Sequence, residues 1–178
     1  PDIKDAAAFK NAFNTIQRLI KEGKIKAGHD IGSGGLITTL LEMCFADNDL
    51  AANINLTNLK ESDLVRVLFA ENIGIVFQAD ASVEETLNAN GIEFHNIGEV
   101  TDGNTLQINH ADKAYNFNIS GLRDTWFKTS YLLDKKQSGD VKAKERFDNY
   151  KNQALKYNFP TQFDGKKPQI DTSKPRPK

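Results

Sequence analysis

The sequence predicts an α+β domain, a mixed or antiparallel sheet with helices packed on it. Three observations carry that expectation. Apolar residues recur at helical spacing through the first 45 positions, a continuous apolar run occupies 73–79, and three strand-like segments crowd between 93 and 120.

Taken in order, "DIKDAAAFKNAFNTIQRLIKEGK" places Phe9, Ala12, Phe13, Ile16, Leu19 and Ile20 at helical spacing, and Gly23 is well placed to stop the helix. A short strand, "KIKAGHD", leads into a loop with glycines at 28, 32, 34 and 35. A second helix begins near Gly34 and carries Leu36, Ile37, Leu40, Leu41, Cys44 and Phe45 on one face. Asn53 to Asn58 alternates Ile54 and Leu56 with polar neighbours and reads as an edge strand. "ESDLVRVLFAEN" predicts a short helix capped at Ser62. "IGIVFQA" predicts a strand buried on both faces. "SVEETLNANG" predicts a capped helix closed by Gly91. "EFHNIGEV", "TLQINH" and "YNFNIS" predict three strands, the first two joined across the turn Thr101–Asp102–Gly103–Asn104.

The character changes at Gly121. Residues 121–140 and 141–156 read as two helices with less apolar surface than the first two. Beyond Tyr157, Pro160, Pro168, Pro175 and Pro177 leave no periodicity, as expected of a linker or an extended wrap over a neighbour. The expected division is a domain over 1–120, a helical extension over 121–157 and an extended linker over 158–178.

Bulk composition narrows the function classes. The chain of 178 residues has a formal net charge of −1, which supplies neither a basic stripe for nucleic acid nor a polybasic patch for membranes. No apolar run approaches the roughly 20 residues of a membrane span, and no signal segment opens the sequence. Cys44 is the only cysteine, so there is no disulfide framework and no thiolate metal cluster. A soluble protein of a reducing compartment, the cytoplasm, is expected.

The glycine loop is the stretch with chemistry in it. Glycines let the backbone approach a ligand closely, and the head of a helix presents unpaired N–H groups and a positive dipole end to an anion. Asp30 cannot bind phosphate itself, because two anions repel, but it can hold a Mg²⁺ that bridges to phosphate oxygens. The plain alternative is a tight strand-to-helix turn with Asp30 and Ser33 capping the helix. The loop fits neither the Walker A pattern nor the dinucleotide fingerprint. Other side chains read more simply. Cys44, mid-helix among Leu40, Leu41 and Phe45, predicts a buried structural thiol. His95 and His110 have no carboxylate at metal-ligand spacing. Glu42 reads as solvated on the polar face of the second helix; Glu71, between a helix and a buried strand, stands where a carboxylate can reach a ligand but reads more simply as a solvated helix end. Trp126 and Phe127 read as packing, with Leu122 and Tyr131, or as a face towards another domain.

"HDIGSGGLITTLLEMCFADN" resembles the segment His-Asp-x-Ser-Asp-Gly-Gly-Leu, followed by Leu-x-Glu-Met-x-Phe-Ala, of the phosphoribosylformylglycinamidine synthase family. "LVRVLFAENIGIVFQ" is similar to that family's Leu-Phe-x-Glu-x-x-Gly-x-x-x-Gln element, and "GLRDTWFKTSYLLDKKQ" to its Leu-Arg-x-x-Trp helix. The resemblance runs from about residue 5 to 150. It implies the second C-terminal-type domain of the aminoimidazole ribotide synthetase superfamily within an ATP- and glutamine-dependent ligase. That ligase converts formylglycinamide ribonucleotide to its amidine in purine biosynthesis.

It also implies an auxiliary site for ATP or ADP with Mg²⁺, in which Asp30 matches the Mg²⁺ ligand and Gly32 the position of a nucleotide-contacting serine. Here the serine is replaced by Gly32 and the following aspartate by Ser33, which can supply the displaced hydroxyl. The implied partners are the enzyme's N-terminal-type superfamily domains and its glutaminase domain, and no complete active site is expected in these residues. Two other readings stay open: a nucleotide-free scaffolding domain of the same enzyme, or a domain of another ATP-using member of the superfamily.

Overall fold

The computed structural model describes residues 3–46 and 49–152. Helix α1 (Ala6–Lys21) is capped by Asp5, whose Oδ1 accepts from the N–H groups of Ala7 and Ala8. Strand β1 (Ile25–Asp30) runs through the glycine loop into α2 (Gly35–Cys44). There follow β2 (Leu50–Asn55), α3 (Leu64–Phe69), β3 (Ile75–Ala79) and α4 (Ser82–Ala89). Then come β4 (Gly98–Asp102), β5 (Thr105–His110), β6 (Lys113–Asn118), α5 (Ile119–Ser138), α6 (Asp140–Asn149) and a 3₁₀ turn, Tyr150–Asn152. Gly23 and Gly91 stop α1 and α4 with positive φ, as expected of helix-ending glycines. The expected linker over 158–178 lies outside the described residues.

The α+β class holds, with the strands split between two sheets. β1 and β3 form an antiparallel ribbon, and the other four strands form a mixed sheet in the order β4-β2-β5-β6. Only β2 and β5 run parallel. The stretch expected as an edge strand at 53–58 is therefore interior: β2 begins at Leu50 and pairs with β4 on one side and β5 on the other. Its alternation is as expected, with Ala52 and Ile54 buried while Asn53 and Asn55 are exposed. Side-chain alternation reports which face is wet and says nothing about how many neighbours the backbone pairs with.

The expected hairpin across 101–104 also does not form. β4 starts at Gly98 rather than Glu93, and β2 lies between it and β5. The tight hairpin is β5–β6, turning at Ala111–Asp112 with Ala111 at φ 50°. No glycine or asparagine marks that turn. The cap of α3 is Asp63 rather than Ser62, with its Oδ1 accepting from Val65 at 2.9 Å.

Two apolar cores hold these elements. The larger joins α2 to the four-stranded sheet through Leu36, Leu40, Ile54, Leu56, Leu106 and Ile108, and takes in Leu68 of α3 and Ile119 of α5. The smaller joins α1 and α4 through Ile16, Leu19, Val83 and Leu87. The β1–β3 ribbon lies between them. Val76 packs on the first core and Phe77 on the second, because successive side chains leave a strand on opposite faces. β3 thus meets apolar groups on both sides, but it is only half-buried, with Ile75 exposed, where full burial was expected. On α1, Phe9, Phe13 and Ile20 stay exposed although they share the helical spacing of Ile16.

Candidate functional site

The glycine loop leaves the ribbon at Asp30, and Ile31 packs on the larger core. Its backbone is anchored from three elements. The Ile31 N–H donates to the Gly74 carbonyl at 2.9 Å. The Asp30 carbonyl oxygen lies 2.7 Å from His29 Nδ1 and accepts from the buried Thr39 hydroxyl at 3.1 Å. The Gly34 N–H donates to Glu71 Oε1 at 2.8 Å. The Asp30 carboxylate is 86% exposed, with its Oδ1 3.5 Å from His29 Nδ1.

The glycines divide by what surrounds them. Gly34 and Gly35 have φ +88° and +72°, and a Cβ on Gly35 would come within 2.6 Å of the Leu68 carbonyl oxygen. These two positions let α2 begin against the end of α3. Gly32 is different, because a Cβ there would find only Asp30 Oδ2, 3.9 Å away. The chain can therefore carry a side chain at 32 without moving. Gly34 caps α2 with no side-chain bond of its own, so neither Asp30 nor Ser33 is the helix cap.

Two glutamates hold positions that their surroundings in sequence did not suggest. Glu71, expected as a solvated helix end, reaches across to the loop and places a negative charge at the head of α2, where the helix dipole favours it. Glu42, expected as solvated, is only 25% exposed and is engaged at both oxygens. His29 Nε2 lies 2.9 Å from its Oε2, and Trp126 Nε1 donates to its Oε1 at 2.8 Å. Both residues fall inside the quoted motif stretches, and Glu71 also lies between a helix and a strand, the signals that could have promoted them. Trp126 also packs on Phe45 at 5.8 Å between ring centroids, and Phe127 stacks on Tyr150 at 4.3 Å.

Cys44 is 5% exposed, and burial pushes its thiol pKa up, as a structural role requires. His95 and His110 belong to no cluster of three or more metal-ligating side chains among the described residues. A cavity of about 360 Å³ lies between α5 and α6, lined by Phe127, Tyr131, Phe147 and Arg146 among others, and includes no residue of the glycine loop. Among the described residues, no helix is long and apolar enough to cross a membrane.

A strand, a glycine turn and a helix set against a mixed sheet define the class. The chain belongs to the family described as AIR synthase related protein, C-terminal domain, which matches residues 1–110. The relatives it is similar to bear the name phosphoribosylformylglycinamidine synthase. A probable chloroplastic/mitochondrial one from Arabidopsis thaliana is 38% identical over 146 residues, covering 77% of this chain and 10% of that protein. One from Schizosaccharomyces pombe is 34% identical over 158 residues, covering 84% of this chain and 12% of that protein. This chain thus spans about a tenth of the length of those relatives.

Among solved structures, PurL from Thermotoga maritima complexed with FGAR matches with a TM-score of 0.58 at 18% identity, over 67% of this chain and 21% of that one. The same protein complexed with ADP matches with a TM-score of 0.57 at 16% identity, over 66% and 22%. At such identities the likeness establishes the fold.

Proposed function

We propose that these residues are part of a phosphoribosylformylglycinamidine synthase and contribute one wall of an auxiliary Mg-nucleotide site, with no complete active site of their own. In this reading the domain spans 1–120, the helical extension 121–157 and a linker 158–178. The linker leads towards a glutaminase domain, and N-terminal-type superfamily domains close the nucleotide cleft. The single observation that carries the reading is the Asp30 carboxylate, held out into solvent on a backbone fixed by Thr39, His29 and Gly74.

The donor set fits magnesium. Mg²⁺ keeps several waters and takes one or two carboxylates together with phosphate oxygens, so a single exposed aspartate suits it better than a closed cage. Asp30 would hold the ion, and the Gly32 and Ser33 segment would face the phosphates. Bound there, the ion would supply charge neutralisation for a nucleotide's phosphate oxygens. Structures of the T. maritima protein complexed with ATP and with ADP support a nucleotide as the ligand. The lone buried cysteine favours a reducing compartment, the cytoplasm in the first instance.

A second reading, a nucleotide-free scaffold, is favoured by Glu71. Its carboxylate already occupies the Gly34 N–H that a phosphate oxygen would use. Calorimetric titration of Glu71→Gln beside the native chain separates the two readings. If the loop takes a Mg-phosphate group, removing the resident charge strengthens Mg-ADP binding, because an anion no longer competes at the helix head. Absence of Mg-ADP binding in both proteins would favour the scaffold.

A further inference from the structure

The structure points to Glu42 as a positioning residue: we propose that it ties helix α5 to the glycine loop, so that the placement of α5 governs the placement of Asp30. The idea rests on three contacts in a row. Trp126, on the third turn of α5, donates its indole N–H to Glu42 Oε1 at 2.8 Å. The other carboxylate oxygen of Glu42 lies 2.9 Å from His29 Nε2. The opposite ring nitrogen of His29 lies 2.7 Å from the Asp30 carbonyl oxygen. An indole, a carboxylate and an imidazole thus form one line from the extension to the residue read above as the magnesium ligand.

The line is a polar link between the two parts further along α5 than the bonds from the Ile119 and Ser120 N–H groups to Asn104. The first turns of α5 pack on the larger core through Ile119 and Leu122, whereas residues beyond Trp126 turn to α6 through Phe127 and Tyr131. Trp126 stands where one set of contacts gives way to the other, with Phe45 of α2 against its ring. Glu42 is the only described residue that touches both Trp126 and His29 with polar atoms. Hydrogen bonds to an ionised carboxylate are stronger than neutral ones. Although Trp126 is 53% exposed, a displacement of α5 is transmitted through these bonds to β1.

As a statement about Asp30's role, the proposal depends on the nucleotide reading; as a statement about coupling, it can be measured with no nucleotide present. Trp126 is the only tryptophan in the chain, so its emission reports the surroundings of this one indole. Amide hydrogen exchange of residues 28–35 reports the loop. In Glu42→Ala the emission shifts to the red and loop exchange quickens by roughly tenfold, the scale set by losing a charge-assisted bond. Exchange in α4 and β5 stays at native rates. Trp126→Phe, altered only in α5, quickens the same loop amides. Glu42→Gln, which keeps a carbonyl for the indole but loses the charge facing the imidazole, restores part of the native protection.

Native loop exchange in Trp126→Phe would overturn the coupling. So would a rise spread evenly over α4 and β5, which would mark general loosening. Failure of Mg-ADP to bind the native chain would remove the nucleotide reading and leave these exchange results standing.

Discussion

At the scale of single residues, the glycine loop separates two uses of the same amino acid. Gly34 and Gly35 are required by the fold, since both sit at positive φ and a side chain on Gly35 would strike the α3 backbone. Gly32 is not required in this way, because it has neither positive φ nor a close neighbour. Replacing Gly35 with alanine should destabilise the chain by at least ~2 kcal/mol, from left-handed strain together with the backbone clash. Replacing Gly32 with serine should leave the unfolding midpoint unchanged. Chemical denaturation of both variants checks the contrast, and equal losses would refute it. If the nucleotide reading is right, the Gly32→Ser chain also gains a hydroxyl where the resembled family carries one.

At the scale of elements, the α5–α6 pair is held differently from the rest of the fold. Its contacts are aromatic and ionic: Phe127, Phe147 and Tyr150 cluster, and Arg146 reaches Asp134 through two nitrogens at 2.8 and 2.6 Å. Hydrogen bonds from Arg146 and then Ser138 hold the Asp134 carboxyl below its usual range. At Asp124, partial burial works in the opposite direction, but hydrogen bonds from Lys151 and Tyr150 outweigh it and lower that carboxyl too. Burial, and then the bond to Asp124, push the Tyr150 hydroxyl up.

The sign for the carboxylates follows from linkage. A pKa lower in the folded state means the native form binds protons less readily than the unfolded form. The stabilisation is therefore present above the ordinary value of 3.8 and is lost as pH falls through the lower folded values. Acid titration followed by helical circular dichroism should show loss of helix beginning below the usual carboxylate range. Asp134→Asn should flatten that loss while already weakening the pair near neutrality. An acid profile unchanged in this variant would show that Asp134 contributes none of the dependence.

The elements also show what patterning can carry. Helices α1 and α2, the buried alternation of β2 and the class of the fold were legible, because apolar periodicity and glycine stops are local signals. Strand order was not. β2 sits between β4 and β5, and only the parallel pairing of β2 with β5 separates the two strands that a good turn sequence seemed to join. The Ala111–Asp112 turn carried neither glycine nor asparagine, and aspartate alone is a weak turn signal. Within the site, the glycine turn between β1 and α2 was readable from composition. The roles of Glu42 and Glu71 were not, because each depends on a partner 84 or 37 residues away in sequence.

At the scale of the whole molecule, the described residues offer few groups for chemistry. Glutamine hydrolysis needs an accessible, activated thiol, yet the one cysteine is buried on α2 and its thiol pKa is raised. Phosphoryl transfer needs several positioned cations and carboxylates. No group of three or more metal-ligating side chains occurs among the described residues. These 178 residues should therefore make no amidine from formylglycinamide ribonucleotide, ATP and glutamine, and should release no ammonia from glutamine. Turnover in either assay would contradict the reading of an auxiliary site that other domains complete. The apolar surface agrees with that reading: Phe69, Ile73 and Ile75, all exposed, lie in the segment that supplies Glu71 to the loop.

The most direct test is an amide NMR titration of the chain with ADP, with and without Mg²⁺, repeated on Asp30→Asn. Shifts confined to residues 28–35, appearing only with the metal and vanishing in the variant, are what an aspartate-held Mg-phosphate predicts. A loop that stays silent at saturating Mg-ADP, or responds equally in Asp30→Asn, would mean the turn serves only to let α2 start against α3.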